Sequence, residues 1–412
     1  MQALWLLVGC LTMNMLHGMV YDNRFWPLYP EPYMSRQAYY DTRWFLTMRG
    51  MFLGSDGCFT QVDSERELYQ VFGDYDELVL DNALQKVGTM QSSLLRPDLR
   101  SLEKIPWNVP GKVSLRGAAL ETEFFILDWL SCGGSLFIGE EQAHRHGFLA
   151  RNETLTIPQA DREELIRADY LMHQALQLQP ASYHGVLFGD IDLHIGAHLK
   201  ASYWFKIHQL DCEFRFGVYA PSSQRGLLQN PAALPIGGNG HTGLYGQWNV
   251  YALLNEDISC GWALQVCKRL SKTSLQRMPA LTEPTNYGAI LAPARVNPGV
   301  NIAFNPYVQM GGLREGFGLA IGYFLVHHAQ DTWSVDQAIC EQFQPNISLL
   351  QERSLWGSDH FSVTAFYDFG YEKEDGYYRP LVSLIVDIPW KGPVTFQTLK
   401  SHAISLRLEM RL

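Results

Sequence analysis

Two long stretches of alternating apolar and polar residues, joined by a tight polar turn, constrain this chain more than any other feature. They lie between Val186 and Ala220. Because successive side chains of a β-strand point to opposite faces, they predict two strands, each with one apolar and one polar face. The first strand has Leu187, Gly189, Ile191, Leu193, Ile195, Ala197 and Leu199 on its apolar face and Asp190, Asp192, His194, His198 and Lys200 on its polar face. In the second strand, Leu210, Cys212, Phe214, Phe216 and Val218 alternate with Asp211, Glu213, Arg215 and Gly217.

The length of this alternation separates a soluble sheet from a membrane sheet. Strands of soluble sheets usually run about five or six residues, whereas a tilted strand needs roughly 9–11 residues to cross a bilayer. The alternation here holds for about ten residues or more in each strand, which is the length that membrane barrels use. We therefore interpret the segment as a transmembrane hairpin.

The same pattern recurs along the chain and predicts about twelve strands, with about fourteen as an alternative. The predicted strands are 43–53, 113–129, 136–144, two between 186 and 220, 244–254, 261–270, 300–310, 317–326, 361–369, 379–390 and 402–412. Short links alternate with long ones, so an antiparallel meander collects the long loops at one end. A β-sandwich or a propeller gives no reason for this segregation.

The last predicted strand alternates up to the final residue. It has Ile404, Leu406, Leu408, Met410 and Leu412 on one face and Ser405, Arg407, Glu409 and Arg411 on the other. Such a strand suits a barrel in which it pairs with the first strand, because closure removes the edges that lipid cannot hydrogen-bond. In these features the chain resembles bacterial transmembrane β-barrel outer-membrane proteins, although those commonly end in an aromatic residue and this chain ends in Leu412.

The resemblance implies an all-β fold. We expect a closed antiparallel transmembrane barrel of about twelve strands in a bacterial outer membrane, with short periplasmic turns and long external loops that contain some helix. Helical spacing predicts loop helices at 160–179, within 65–87 and within 332–343. The sequence leaves three placements open for these helices: capping the mouth, folding into the lumen, or plain decoration of the surface. Trp44, Trp129, Trp204, Trp248, Trp262 and Trp390 lie near predicted strand ends, as expected for aromatic girdles.

Composition excludes other classes of protein. The net charge is -10 and no cluster of Lys and Arg is visible, which argues against nucleic-acid binding. Beyond the N-terminus no apolar run reaches the roughly 18 residues of a helical membrane span. None of the seven cysteines forms a CxxC pair or a zinc-like cluster, and we expect them to pack as small apolar residues.

We divide the chain into a signal peptide at 1–20, an N-terminal periplasmic segment at 21–42 and the barrel at 43–412. The stretch from Ala3 to Met19 has the length and apolarity of a signal peptide, yet it lacks a preceding Lys or Arg and a clear cleavage site. Leu7-Val8-Gly9-Cys10 resembles a lipobox, so lipidation of Cys10 is an alternative. The segment 21–42 is expected to be a tail, with a partial plug as the alternative.

The polar faces should line the barrel interior and set its charge preference. A turn about Ser202-Tyr203 would pair His194 with Asp211, Asp192 with Glu213 and Asp190 with Arg215. The predicted lumen-lining residues are Asp190, Asp192, His194, His198, Lys200, Asp211, Glu213, Arg215, Arg407, Glu409 and Arg411. Because barrel interiors are polar in any case, bracing of the wall is an alternative role.

We find no catalytic motif and expect no enzyme activity and no cofactor. The sequence has no GxSxG, HExxH or Walker loop, and Gly237-Gly-Asn-Gly-His241 opens no helix that could bind phosphate. His144 and His146 with Glu140 or Glu141 have a spacing suited to a metal, but it is common by chance, so we predict no metal site.

The function predicted from these features is a porin-like channel for passive passage of small solutes. Its expected partners are membrane lipid, small solutes and the outer-membrane insertion machinery, with no nucleic acid. Three alternatives are a surface adhesion or interaction protein that acts through its long loops, a barrel enzyme, and a secreted carbohydrate-binding β-protein.

Overall fold

The alternating segments join into one closed sheet. We describe it from a computed structural model, for residues 43–60, 65–145, 148–149, 159–178, 182–204, 207–223, 228–234, 237–369 and 380–411. The 12 barrel strands are β1 Trp44–Phe59, β2 Gly111–Leu127, β3 Leu130–Arg145, β4 in two segments (Ser182–Phe188 and Ile191–Trp204), β5 Ile207–Ala220, β6 Gly243–Leu253, β7 Ile258–Arg269, β8 Val300–Arg314, β9 Phe317–His328, β10 Trp356–Asp368, β11 Leu381–Trp390 and β12 Thr398–Arg411. The predicted closed all-β barrel of about twelve strands is confirmed.

Closure depends on the pairing of the last strand with the first. β12 pairs with β1 antiparallel, from Phe45 opposite Arg411 to Ser55 opposite Ser401. Every other barrel strand pairs with its neighbours in sequence. The ladder therefore returns to its origin, and the backbone groups that an edge would expose to lipid are paired.

The predicted signal peptide at 1–20, including Cys10, and the segment at 21–42 lie outside the described residues. Their predicted roles therefore remain predictions.

The two ends of the barrel differ, as predicted. At the end that we call the turn end, β2 and β3 are joined through residues 128–129, β6 and β7 through 254–257, and β8 and β9 through 315–316. At the opposite end, which we call the loop end, the long connections carry the helices α1 Glu77–Val87, α2 Pro97–Arg100, α3 Gln159–Ala175, α4 Gln337–Phe343 and α5 Ile347–Ser354, and 3₁₀ turns at Leu68–Phe72 and Thr285–Tyr287. Short strands at Lys272–Met278, Ile290–Asn297 and Thr332–Val335 form a small sheet beside them. Glu65–Glu67 pairs antiparallel with the end of β1, and Trp107–Asn108 pairs with Phe148–Leu149.

These connections pack on one another into a unit that we call the cap. Its apolar core includes Leu68, Tyr69, Leu80, Leu84, Ile105, Leu165, Met172, Tyr287, Trp333 and Leu350. Inward-facing residues near the loop end of the wall, among them Met51, Leu53, Leu115 and Phe137, join the same core. The cap is therefore seated in the mouth of the barrel, and burial of this apolar surface holds it there.

The loop helices agree in part with their predictions. The helix predicted at 160–179 is α3, and the one within 65–87 is α1, whose N-terminal Asp76 side chain accepts a hydrogen bond from the Leu78 backbone N–H. The region 332–343 begins as a strand, Thr332–Val335, and becomes helical only at Gln337. Among the described helices, none combines the length and the apolarity needed to span a membrane.

β4 contains a one-residue irregularity. As a result, the face predicted for the side chains of its first segment is wrong. Phe188 pairs with Ile138, but beyond Gly189-Asp190 the register has moved by one, and Asp192 pairs with Ser135. Because strand side chains alternate, an extra residue exchanges the two faces. Leu187, predicted on the outward apolar face, is therefore buried inward in the cap core.

The predicted register of the β4–β5 hairpin is wrong. The strands continue past Ser202-Tyr203 to Trp204, which pairs with Ile207. Lys200 consequently lies opposite Asp211, and His198 lies opposite Glu213. The partner of His194 is Gly217 and that of Asp192 is Tyr219, while Arg215 pairs with Gly196. The faces were assigned correctly here because the alternation is unchanged when one strand slides by an even number of residues.

Placing a charge in the outward apolar row should destabilise the barrel. We expect Ile195→Arg to lower the free energy of unfolding by about 2–4 kcal/mol, the range for a cation at the bilayer midplane. Guanidinium unfolding of the protein refolded in lipid vesicles measures this. The control is Ser202→Arg, since Ser202 is exposed near the turn end of the same strand. Equal effects of the two substitutions would contradict a lipid-facing position for Ile195.

The cap contains a buried carboxyl group, that of Glu77, which lowers the stability of the folded cap at neutral pH. Glu77 is 1% exposed, and its Oε2 has no hydrogen-bond partner among the described residues. Burial, followed by the nearby charges of Asp169, Asp76 and Asp81, holds the pKa of Glu77 well above its ordinary value. As pH rises through the unfolded pKa, the unfolded cap loses this proton while the folded cap keeps it, so the stability of the cap falls.

We therefore expect Glu77→Gln to stabilise the cap at pH 8 by on the order of 1 kcal/mol and to have little effect at pH 4. Hydrogen exchange of α1 amides at the two pH values, compared between wild type and variant, tests this. A benefit that is larger at pH 4 than at pH 8 would contradict the assigned protonation.

A charged barrel interior as the candidate functional site

Inward-facing side chains are polar along the wall, and they are buried. Between β2 and β7 they include Glu123, Ser131, Asp192, His194, His198, Asp211, Glu213, Arg215, Asn249, Gln265 and Arg269. Burying charge in a low-dielectric interior is unfavourable unless the charges are paired and hydrogen-bonded. The pairing of these groups therefore determines what the interior can do.

The half of the interior nearer the turn end contains a group that we call the Glu–His–Arg cluster: Glu121, Glu123, Ser131, His198, Glu213 and Arg215. The guanidinium of Arg215 donates to Glu213 Oε1 and, from Nη2 over 3.0 Å, to Glu123 Oε2. Its Nη1 lies 3.6 Å from Glu121 Oε1. One cation thus bridges carboxylates from β2 and β5, two strands that are not neighbours in the sheet.

Within this cluster the His198 ring sits between the two buried carboxylates. Its Nε2 is 2.8 Å from Ser131 Oγ, 3.6 Å from Glu123 Oε1 and 3.7 Å from Glu213 Oε1. A serine-hydrolase triad needs the carboxylate on the ring nitrogen opposite the serine. Here both carboxylates approach the nitrogen that faces Ser131, so the arrangement does not reproduce that relay.

A second polar layer lies one step closer to the loop end. Asp192 accepts hydrogen bonds from His194 Nδ1 over 2.9 Å and from Tyr245 Oη over 2.7 Å. Tyr245 stacks on Tyr219 with ring centroids 4.7 Å apart, and Gln265 Nε2 donates to Tyr219 Oη. These contacts fix the orientation of the His194 ring.

A third layer, centred on Asp190 at the β4 irregularity, joins the wall to the cap. The carboxylate of Asp190 accepts from Arg269 Nη1 over 2.8 Å and from the backbone N–H groups of Ser223 and Gly238. A side chain on Gly238 would collide with Arg269, since a Cβ there would lie 1.6 Å from Nη1. The glycine-rich loop 237–241 therefore leaves room for the Asp190–Arg269 ion pair and donates a backbone hydrogen bond to it.

The adjoining wall, formed by β1, β11 and β12, carries its own ion pairs. Arg49 donates to Ser405 Oγ over 2.8 Å and lies 3.8 Å from Asp387 Oδ2. Arg407 donates to Glu409 Oε2 over 2.9 Å. The inward arginines of β1 and β12 thus lie beside the carboxylate-rich wall of β2–β5, because β1 pairs with β2 in the sheet.

The outer face of the barrel is the reverse of the inner face. Large apolar side chains point outward around the circumference, and the most exposed include Phe216 at 64% and Leu199 at 63%. Members of this band are Met48, Phe52, Leu120, Phe124, Leu136, Ile138, Val186, Leu193, Ile195, Val218, Leu244, Val308, Ile321, Val363, Leu384, Ile388, Ile404 and Leu406. Soluble monomers rarely expose so large a contiguous apolar surface, and lipid is the solvent that suits it.

The chain is an outer-membrane β-barrel. Its strand order, closure and apolar band together are those of barrels in the bacterial outer membrane. Membrane lipid is therefore in contact with the whole outer band.

No family model and no curated protein matches the chain. Among solved structures, an outer membrane channel from Pseudomonas putida F1 is similar over 93% of this chain and 100% of its own, with 10% identity and a TM-score of 0.49. The translocator domain of autotransporter NalP from Neisseria meningitidis is similar over 91% and 90%, with 9% identity and a TM-score of 0.33. A Pseudomonas aeruginosa FadL homologue is similar over 95% and 96%, with 10% identity and a TM-score of 0.31.

The structure buries most of the residues predicted to line the lumen. Asp190, Asp192, His194, His198, Asp211, Glu213, Arg215, Arg407 and Glu409 are buried inside the barrel. Lys200 is exposed near the turn end, and the side chain of Arg411 lies outside the described part of the chain. The four residues considered above as metal ligands do not share one face. Glu141 faces inward, Glu140 and His144 face outward, and His146 is among the residues not described.

Sequence reasoning missed several interior partners. Glu121 and Glu123 occupy alternate positions of a strand that was predicted, so their common face could have been inferred from the same period of two. Arg49 was obtainable in the same way, since it alternates with Met48 and Gly50. By contrast, Asn249 donates to Glu213 Oε2 from β6, and no sequence signal marks that contact.

Outward aromatic residues form contact chains, in which Trp390 ends its strand as expected for a girdle, whereas Trp248 lies in the middle of β6. Trp248 lies 5.3 Å from Phe214 and 4.6 Å from Trp262, between ring centroids. Nearer the loop end, Trp390 lies 5.0 Å from Phe361. Trp44 and Trp129 are exposed close to the turn end, and the Trp204 side chain is not among those described. All six described cysteines are free thiols.

Removing Arg215 should be far more damaging than breaking a surface ion pair. We expect Arg215→Met to cost about 3–5 kcal/mol, because it leaves buried carboxylates without their cation. Adding Glu123→Gln and Glu213→Gln to it should recover part of the loss. Arg66→Met, which breaks the solvent-exposed pair with Asp74, should change stability by less than about 1 kcal/mol. Unfolding in lipid vesicles gives all the values, and an equal cost for both arginines would contradict this assignment.

Proposed function

We propose that this chain is a narrow outer-membrane channel for small polar solutes, closed in the state described here. The observation that carries the proposal is the polar ladder along one wall. It runs from Lys200 and Asp211 near the turn end, through the Glu–His–Arg cluster and the Asp192 layer, to Asp190 under the cap. A barrel used only as an anchor would also have polar groups that brace its wall, but it would not conduct, so conductance separates the two roles.

We infer that the lumen is closed in this state because the side chains of the polar ladder are buried. Open pores wet their lining side chains, whereas Glu213 is 1% exposed and Arg215 is 9% exposed. Passage therefore requires the interior ion pairs to rearrange and the cap to loosen. Such a channel would conduct in brief openings and would be more selective than a wide general porin.

Single-channel recording in planar bilayers tests this proposal, with heat-modifiable gel migration as the check on folding. Discrete openings are expected for the wild type. Asp192→Asn should shift the cation-to-anion permeability ratio towards anions by a few-fold, since a unit charge at about 4 Å in water is worth about 1 kcal/mol. Asp98→Asn on the exposed face of the cap is the control and should leave the ratio unchanged.

A folded wild-type barrel that shows no openings, and no solute entry in liposome swelling, would overturn the channel proposal. Openings whose ion preference does not respond to Asp192→Asn would show that ions take a route other than the polar ladder.

A second candidate is surface interaction through the cap. It is favoured by apolar side chains that are exposed outside the barrel wall: Ile166 and Tyr170 one turn apart on α3, and Leu275 and Leu291 on the small sheet. Ile166→Glu with Tyr170→Glu should then reduce the attachment of cells to a surface while conductance persists. Loss of attachment in a silent barrel would favour this candidate over the channel.

We propose no catalytic role. The Ser131–His198 pair is buried and has its carboxylates on the wrong ring nitrogen for acyl transfer, as described above. A hydrolase assay of the refolded barrel with ester substrates should therefore give only the background rate.

A further inference from the structure

We propose that Glu123, His198 and Glu213 form a binding site for a divalent first-row transition-metal ion, such as Zn²⁺, inside the barrel. This inference does not depend on channel activity. Each residue offers one ligand atom, and the three atoms lie within 4.8 Å of one another. They come from three strands, β2, β4 and β5, so the site exists only in the closed, folded wall.

The separations between these atoms fit a shared ion better than direct hydrogen bonds. The distances of 3.6 Å and 3.7 Å from His198 Nε2 to the two Oε1 atoms exceed the range of a normal N–H···O bond. Two ligands held about 2.1 Å from a tetrahedral metal are separated by about 3.4 Å. A small contraction around an ion would therefore satisfy its bond lengths without moving the strands.

A second histidine points independently to the same place. His194 is 5% exposed, and its Nε2 has no hydrogen-bond partner within the described part of the chain. A Cβ on Gly133 would lie 2.7 Å from this nitrogen, and Gly133 is the direct ladder partner of Glu123. The unpartnered Nε2 is thus directed across Gly133 towards Glu123. Asp192 holds its Nδ1, which is the outer contact that metal-binding histidines usually make.

Gly196 lies beneath the ligand atoms of Glu213 and His198, and its lack of a side chain leaves space for them. At Gly196, between the two histidines in sequence, a Cβ would lie 2.7 Å from Ser131 Oγ and 3.3 Å from both Glu213 Oε1 and His198 Nε2. Any larger residue at this position would push the ligand atoms apart. The donor atoms therefore converge over backbone and around the Ser131 hydroxyl, which lies 2.7 Å from Glu123 Oε1 and 2.8 Å from His198 Nε2 and must move when an ion binds.

Hydrogen bonds from outside the triplet orient its carboxylates. Asn249 Nδ2 donates to Glu213 Oε2 over 2.7 Å, and Arg215 holds Glu123 Oε2 over 3.0 Å. Arg215 also donates to Glu213 Oε1, and Ser131 donates to Glu123 Oε1, so these two donors must shift when an ion binds. Because imidazole joins carboxylate as a ligand, Zn²⁺, Mn²⁺ or Fe²⁺ suits the set better than Mg²⁺ or Ca²⁺, which prefer oxygen alone.

The test is Zn²⁺ binding to the full-length protein, refolded in detergent and stripped with a chelator, measured by titration calorimetry and by metal analysis after gel filtration. We expect one Zn²⁺ per chain at micromolar or tighter affinity. His198→Ala and Glu213→Gln should each weaken binding by at least tenfold, and Asn249→Ala by roughly tenfold, as for other outer-shell contacts.

The matched controls are His184→Ala and Glu140→Gln. These residues form an exposed imidazole–carboxylate pair on the outer face and should leave the interior affinity unchanged. Absence of Zn²⁺ binding by a wild-type barrel with correct heat-modifiable migration would overturn the proposal. So would binding that is lost in the controls and kept in His198→Ala.

Spectroscopy of the wild type keeps the proposal testable if the interior variants fail to fold. Co²⁺ added to the stripped protein should give visible d–d bands, and X-ray absorption of the Zn²⁺ form should show a nitrogen and oxygen shell with imidazole scattering. A shell without imidazole, or one dominated by sulfur, would contradict the assigned ligands.

Discussion

The structure depends on one constraint, that a chain in lipid must pair every backbone N–H and C=O group within itself. The β12–β1 ladder meets it, because without this pairing two strand edges would face hydrocarbon. Once the sheet is closed, each strand has one side in lipid and one side inside. The period of two in the sequence and the separation of apolar from polar side chains both follow from this closure.

Closure of the sheet also buries charged side chains in the interior, where each of them needs a partner. Glu123 and Glu213 are buried, and their charges persist only because Arg215, Ser131 and Asn249 are placed to meet them. The same contacts brace the wall and fill the space through which a solute would pass. Stability and closure of the lumen are therefore properties of one set of side chains, and a change that opens the interior must offer these carboxylates another partner, such as water or a cation.

The sequence predicted the strands well because lipid enforces alternation over lengths that chance rarely produces. It did not predict their register, since sliding β5 along β4 by an even number of residues keeps every face assignment and yet replaces Asp211 by Gly217 as the partner of His194. The extra residue at Gly189-Asp190 was also invisible, although the glycine there was a sign of local irregularity. The Glu–His–Arg cluster depends on both register and long-range contact, which no local pattern encodes.

The position of Asp190 links the wall to the cap. Had β4 continued without its irregularity, the residue after Gly189 would face lipid, where a carboxylate is strongly disfavoured. The irregularity turns Asp190 inward, where it joins Arg269 of the wall to backbone N–H groups of the loop after β5. The cap contacts the same loop, since Tyr69 Oη donates to the Ala232 carbonyl, and a displaced cap would therefore displace the loop that binds Asp190. In the proposed channel, this ion pair would couple opening of the mouth to rearrangement of the polar ladder.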